Sequence, residues 1–140
     1  MTINGKTRLL GVMGHPVSHS LSPSLHNGWL SRLNINACYV PLPVAPYDFQ
    51  AALKILPLIG FQGVNVTAPH KEQAFCLADC LDSSAQAAGA VNTMVLRNGK
   101  WHGFNTDGYG FWEGLKTFSP LPLIKEKPVL VIGAGGAGGV

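Results

Sequence analysis

An amide, a hydroxyl and an ammonium follow one another in Asn65-Val66-Thr67-Ala68-Pro69-His70-Lys71, a segment that begins inside an apolar run and continues toward a helix. Ligands of open α/β sheets bind outside the carboxyl ends of the strands. Asn65, Thr67 and Lys71 could there meet a polyhydroxylated ligand. The alternative is local: Thr67 caps a helix that Pro69 starts, and Lys71 is a solvated first-turn residue. A helix dipole disfavours a cation in the first turn, which leaves Lys71 slightly misplaced under that alternative. Spacing alone keeps both readings open.

Two more polar clusters share this double character. Ser18-His19-Ser20-Leu21-Ser22-Pro23-Ser24 sets hydroxyls beside the free N–H groups of a helix start, which attracts anions. A plain Ser22 cap with Pro23 at the first helical position accounts for the same residues. Ala90-Val91-Asn92-Thr93 and Asn105-Thr106-Asp107-Gly108 bring an amide and a carboxylate. Asn92 lies in a stretch suited to burial, so its amide must find partners. Asp107 follows a Thr cap, where the dipole stabilises a carboxylate whether or not it is catalytic. Finally, Gly133-Ala134-Gly135-Gly136-Ala137-Gly138-Gly139 follows the apolar run Val129 to Ile132 and matches the dinucleotide-binding fingerprint. The residue about 20 positions further on, which would select the cofactor, lies past Val140.

Alternating elements can position these clusters. Arg8 to Met13 reads as a buried strand ending at Gly14. A helix from Ser22 carries Leu25, Trp29, Leu30 and Leu33 on its apolar face. Cys38 to Leu42 is a strand, and Asp48 to Leu56 a helix with Phe49, Ala52, Leu53 and Leu56 on one side. Gly63 to Thr67 is a strand, and a helix runs from Pro69 to about Asp79. Ala90 to Leu96 and Lys100 to Phe104 flank Asn98-Gly99, a hairpin signal. Thr106 to Phe118 is helical by the spacing of Phe111, Trp112, Leu115 and Phe118. Its glycines at 108, 110 and 114 each cost about 1 kcal/mol against Ala, which points to close backbone packing or a hinge. The alternation indicates an α/β fold with a mostly parallel sheet and an antiparallel element.

Composition narrows the function. Of 140 residues, 46% are hydrophobic and 12% charged, which excludes a disordered chain. The net charge of +3 comes from scattered Lys and Arg rather than a basic stripe, so no nucleic-acid partner is expected. A mild positive balance suits a small anionic substrate. No apolar run reaches the ~18 residues of a membrane span, and Met1 to Lys6 does not read as a signal peptide. A cytoplasmic protein without a membrane partner is the expectation. Three cysteines argue against a disulfide framework. Cys76 and Cys80, four apart on a helix, read as a buried thiol pair, and no metal site is expected.

Taken together in this order, His19-Ser20-Leu21-Ser22-Pro23, Asn65 to Lys71, Ala90-Val91-Asn92-Thr93, Asn105-Thr106-Asp107-Gly108 and the glycine loop resemble the shikimate dehydrogenase family. The resemblance implies reversible, NADPH-dependent reduction of 3-dehydroshikimate to shikimate in aromatic amino-acid biosynthesis. It implies that Ser20 and Ser22 hold the substrate carboxylate. Asn65, Thr67, Lys71, Asn92 and Asp107 would surround the ring hydroxyls, with Lys71 and Asp107 as the catalytic pair. Gly133, Ala134, Gly135, Gly136, Ala137 and Gly138 would bind NADP. It further implies a three-layer, mostly parallel substrate domain over residues 1–106. Residues 107–140 would then be a linker helix and the truncated start of a Rossmann domain, in a monomer or homodimer. A chain so truncated is not expected to turn over by itself. A quinate/shikimate dehydrogenase using NAD, and a shikimate-binding fragment without catalysis, are the alternatives.

Hydride reduction of a ketone leaves an alkoxide that needs a proton from a nearby acid. Lys71 is the expected donor. A helix start disfavours its ammonium and a neighbouring Asp107 carboxylate favours it, so proton transfer is assigned to the pair.

Overall fold

The computed structural model describes residues 3–118 together with Pro128 and Leu130. Its frame is one six-stranded sheet. In chain order, strand β1 (Arg8–Gly14) leads to helix α1 (Ser22–Arg32), then β2 (Ala37–Pro43), α2 (Phe49–Ile55) and β3 (Phe61–Val66). Helix α3 (Lys71–Leu77), β4 (Cys80–Leu81), α4 (Ser83–Ala88), β5 (Thr93–Arg97), β6 (Lys100–Phe104) and α5 (Asp107–Phe118) follow. The spatial order is β2-β1-β3-β5-β6-β4. β1 pairs in parallel with β2 and β3, and β4 with β6, while β5 is antiparallel to both β3 and β6. The expected mixture of parallel strands with an antiparallel element is thus present. Asn98 and Gly99 turn the β5–β6 hairpin with φ of 52° and 74°, as a tight Asn-Gly turn requires.

Because alternate strand residues face opposite sides, the sheet has two cores. Met13, Val64, Val66 and Met94 point toward α2, α3 and α4, where Phe49, Leu53, Ala74 and Ala85 complete the larger core. Val12, Ala37 and Tyr39 point the other way, against Leu30 of α1. Helices on both faces make the three layers. Gly14 ends β1 where a Cβ would stand only 2.5 Å from the Thr67 methyl, so only glycine lets the β3–α3 turn close over β1.

Several local expectations change. The third helix begins at Lys71 rather than Pro69, because the His70 N–H donates to the Thr67 carbonyl at 3.0 Å. Residues 67–70 therefore form a turn, and Thr67 caps nothing. The helix also ends at Leu77, which puts Cys80 in a strand, and Cys76 is exposed. The two thiols are neither on one helix nor a buried pair. Leu21 occupies the cap position of α1 with no side-chain capping bond, so Ser22 is not the cap. On α1 only Leu30 is buried, whereas Leu25 and Trp29, and Leu33 just past its end, are exposed. Strand β5 starts at Thr93 because the Val91 and Asn92 N–H groups donate to the Lys71 and Phe104 carbonyls outside the ladder.

β4 and α4 are additions to the expected elements: a two-residue strand has no period to detect. The signals for α4 are in the sequence, with Asp82 accepting from the Ser84 N–H at 2.9 Å and Gly89 left-handed at φ 61°. A Cβ at Gly110 or Gly114 would meet open space, so close packing among the described residues does not explain those glycines. The apolar run and glycine loop from 129 to 140, Leu130 apart, lie outside the described residues.

Candidate active site

The ends of β1 and β3 and the starts of α1, α3 and α5 converge on one cavity of about 570 Å³. β3 hands the chain to its turn through two backbone bonds. Val66 N–H donates to the Asn92 carbonyl at 2.8 Å, and Thr67 N–H to the Met13 carbonyl at 2.9 Å. One turn later Lys71 opens α3, and its Nζ lies 2.6 Å from Oδ2 of Asp107, the first residue of α5. Residues 36 apart in sequence so form an ion pair whose side chains are 19% and 32% exposed. The pair is half-shielded and still open to a ligand.

Asp107 does not depend on Lys71 alone. Asn92 donates from Nδ2 to Asp107 Oδ1 at 2.7 Å, so each carboxylate oxygen has a donor. The Asn92 Oδ1 accepts the Thr106 N–H at 3.1 Å and the Thr93 hydroxyl at 2.9 Å. Buried to 8% exposure, Asn92 has the partners that burial demands. Thr93 in turn accepts from Asn65 Nδ2 at 3.0 Å, and Asn65 Oδ1 accepts from the Tyr39 hydroxyl at 2.7 Å. A directional chain of donors thus runs from Tyr39 through Asn65, Thr93 and Asn92 to Asp107, which also accepts from Lys71 on its other oxygen. Register explains it: Asn65 lies opposite Thr93 across β3 and β5, on the sheet face that Tyr39 also occupies.

Burial pushes the Tyr39 phenol up to about 12, with a hydrogen bond to Ser22 pulling the other way. The phenol therefore stays a donor, which fixes the Asn65 amide with its oxygen toward Tyr39. Asn27 holds Tyr39 in place, accepting its N–H at 3.0 Å and donating to its carbonyl at 2.8 Å. The His26 ring stacks on Tyr39 with centroids 4.3 Å apart, and burial lowers its pKa.

The opposite wall is the entry to α1. The Ser22 N–H donates to Ser20 Oγ at 3.3 Å, Leu21 takes the cap position with no side-chain capping bond, and Ser20, Leu21 and Ser22 all line the cavity. His15 and His19 line the same wall. Behind α3, buried His70 stacks on Phe49 with centroids 4.6 Å apart, and its Nε2 meets the Val44 carbonyl at 2.8 Å. That contact requires the Nε2–H tautomer, and Nδ1 has no partner. Burial lowers the His70 pKa, the Val44 contact opposes this, and His15 adds to the lowering.

All seven expected substrate-site residues line the one cavity: Ser20 and Ser22 on one side, Asn65 and Thr67 at the end of β3, Lys71, Asn92 and Asp107 opposite. Tyr39, Asn27 and Thr93, which support these residues from behind without lining the cavity, are additions. An aromatic in an apolar strand reads as core, and Tyr39 gives no sign in sequence that its hydroxyl points at an amide. The six residues expected at the cofactor, Gly133 to Gly138, lie outside the described residues. Among the described residues no group of three or more His, Cys, Asp or Glu could hold a metal, and no helix is long and apolar enough to cross a membrane.

The family model of the shikimate dehydrogenase substrate binding domain matches residues 12–94. Shikimate dehydrogenase (NADP(+)) of Paramagnetospirillum magneticum is 51% identical over 136 residues, covering 96% of this chain and 49% of that protein. The crystal structure of shikimate 5-dehydrogenase from Thermus thermophilus in complex with shikimate superposes with a TM-score of 0.86 at 41% identity. It covers 95% of this chain and 50% of that one. Ligand-free 5-ketofructose reductase of Gluconobacter sp. strain CHM43 reaches 0.77 at 28% identity, over 83% of this chain and 42% of that one. This chain spans about half the length of the curated relatives it matches. The match over residues 12–94, carried on this sheet and cavity, places the chain in the shikimate dehydrogenase family by its substrate-binding domain.

Proposed function

We propose that this chain is the substrate-binding and proton-transferring part of an NADP-dependent shikimate dehydrogenase, which interconverts 3-dehydroshikimate and shikimate in aromatic amino-acid biosynthesis. The observation that carries the reading is the Lys71–Asp107 pair, held by Asn92 in one wall of a cavity whose other wall presents Ser20 and Ser22. The fold is shared with a reductase named for another ketone, so the substrate assignment rests on these side chains and not on the sheet.

In this reading Ser20 and Ser22 bind the carboxylate at the start of α1, where hydroxyls and free N–H groups favour an anion. Asn65, Thr67 and Asn92 bind ring hydroxyls and orient the reacting carbon between the walls. NADPH supplies the hydride, and the glycine loop expected to hold it, Gly133 to Gly138, lies outside the described residues. Lys71 Nζ donates the proton that the developing alkoxide takes up, and Asp107 stabilises the ammonium and orients it. In the oxidising direction the Lys71–Asp107 pair receives the hydroxyl proton. Residues 1–106 form the substrate domain, and 107–140 the linker helix and the beginning of a Rossmann domain. The setting is cytoplasmic and the protein a monomer or homodimer.

Separate calorimetric titrations of this chain with shikimate, quinate and NADPH test the reading. Shikimate is expected to bind in preference to quinate. Absence of any heat with shikimate up to about 1 mM, the upper end of common KM values, refutes it. Shikimate-dependent NADP reduction, assayed in an intact enzyme carrying this domain, then separates an enzyme from a binding fragment.

A further inference from the structure

The Lys71–Asp107 contact is held from behind by an amide that plays no part in the chemistry proposed above. Asn105 is 5% exposed and its side chain faces away from the cavity lining, into the seam between the Ala90–Asn92 segment and the start of α5. Its Nδ2 donates to the Ala90 carbonyl at 3.0 Å, and its Oδ1 accepts the Asp107 N–H at 2.9 Å. Its own N–H donates to Ser84 Oγ at 3.1 Å. One residue past Ala90, the Val91 N–H donates to the Lys71 carbonyl at 2.9 Å.

These bonds join into a second, backbone-level link between the two charged residues. It runs from Lys71 O to Val91 N, across the peptide to Ala90 O, through the Asn105 amide to Asp107 N. The link does not include the ion pair. Ala90 and Val91 are both fully buried, so neither the carbonyl nor the N–H in it has water as a substitute partner. A short side chain at 105 could accept from the Asp107 N–H, as Ser or Asp does two residues before a helical N–H. Only a carboxamide of this length can do so while also donating to Ala90, because it carries both an acceptor and a donor on one rigid plane.

We infer that Asn105 is a positioning residue that sets the spacing of Lys71 and Asp107, through the backbone and independently of the charge attraction between them. The inference deepens the proposed function, and rests on it only where ligand affinity is read. Without Asn105 the ion pair would still form, but α5 would be free to shift and Asp107 would follow Lys71 instead of meeting it at a set place.

The test uses Asn105→Ala and Asn105→Ser in this chain, read by amide hydrogen exchange, by the NMR signal of the Lys71 ammonium protons and by shikimate calorimetry. In Asn105→Ala the Asp107 amide is expected to exchange at least tenfold faster. The Lys71 ammonium signal broadens as its protons exchange more freely with water, and shikimate affinity in the folded protein falls about tenfold. Asn105→Ser is expected to keep the Asp107 amide protected, since the hydroxyl can still accept it, yet to lose affinity because Ala90 is no longer bridged. It also stands in should Asn105→Ala fail to fold. A residue that only stabilised the fold would lower the melting temperature and leave the ammonium signal and the affinity of the folded fraction unchanged; that result overturns the inference. If the unmutated chain does not bind shikimate, the proposed function fails, while the amide and ammonium measurements still decide the role of Asn105.

Discussion

Replacing Asn92 by Ala probes the network where it is densest. The side chain is 8% exposed and makes one bond to a carboxylate, at 2.7 Å to Asp107, besides accepting the Thr93 hydroxyl and the Thr106 N–H at 2.9 and 3.1 Å. A hydrogen bond to a charged group contributes about 1.5–3 kcal/mol and a neutral one about 1 kcal/mol. Losing these three costs about 3.5–5 kcal/mol. Water in the open cavity can re-solvate Asp107, whose side chain is 32% exposed, and this lowers the figure to about 3 kcal/mol. At a urea m-value of about 1.5 kcal/mol/M the unfolding midpoint falls by about 2 M. The assay is paired urea melts followed by intrinsic tryptophan fluorescence, with shikimate titrations on the folded protein. Affinity is expected to fall at least tenfold, because Asp107 loses the donor that orients its second oxygen. A loss of stability below about 1 kcal/mol with unchanged affinity would mean that Asn92 does not organise the site, and the chain of bonds from Tyr39 to Lys71 would have no energetic meaning.

Three further outcomes follow from the same geometry. In an intact enzyme carrying this domain, Lys71→Ala is expected to lower kcat far more than it raises KM, and Asp107→Asn to give a comparable rate loss; a change confined to KM would remove the catalytic role. Gly14→Ala places a methyl 2.5 Å from the Thr67 methyl, and overpacking of this kind costs about 1–3 kcal/mol. Both stability and shikimate affinity should drop together, and normal affinity would show that Thr67 is not held by that contact. Burial lowers the His70 pKa from 6.5, so below pH 6.5 the unfolded chain takes up the proton first and stability falls as pH falls, until the folded form protonates too. His70→Phe keeps a ring on Phe49 and removes the titration; urea midpoints between about pH 5 and 7 should then depend less on pH, and an unchanged slope would assign the effect elsewhere.

Most elements could be read along the chain because they have a period or punctuation. The run Arg8–Gly14, the Phe49, Leu53 and Leu56 face and the Asn98-Gly99 turn all appear in the structure as read. What escaped did so for definable reasons. β4 is too short to show alternation. The helix pattern from Pro69 is cut short by a turn that takes up residues 67–70, a competition between a local i→i+3 bond and helix propagation. On α1 the spacing of Leu25, Trp29 and Leu33 promised burial, but which part of an apolar stripe is covered depends on what packs against it, and among the described residues only Leu30 is.

The site divides in the same way. The residue types that could do the chemistry, Lys71, Asp107, Asn92, Asn65, Thr67 and the serines at 20 and 22, stood out in sequence because polar groups at strand ends and helix starts are where α/β sheets meet ligands. Spacing alone left Thr67, Lys71, Asp107 and Ser22 open to a reading as ordinary cap or first-turn residues, and it was the family resemblance that assigned them to a site. Only the tertiary structure decides that Ser22 is not a cap, that Lys71 and Asp107 meet at 2.6 Å, and that Tyr39, Thr93 and Asn105 belong with them. The physical reason is distance along the chain: propensity and spacing act over a few residues, whereas the 36 residues between Lys71 and Asp107 are brought together by sheet register and by buried amides that must find partners.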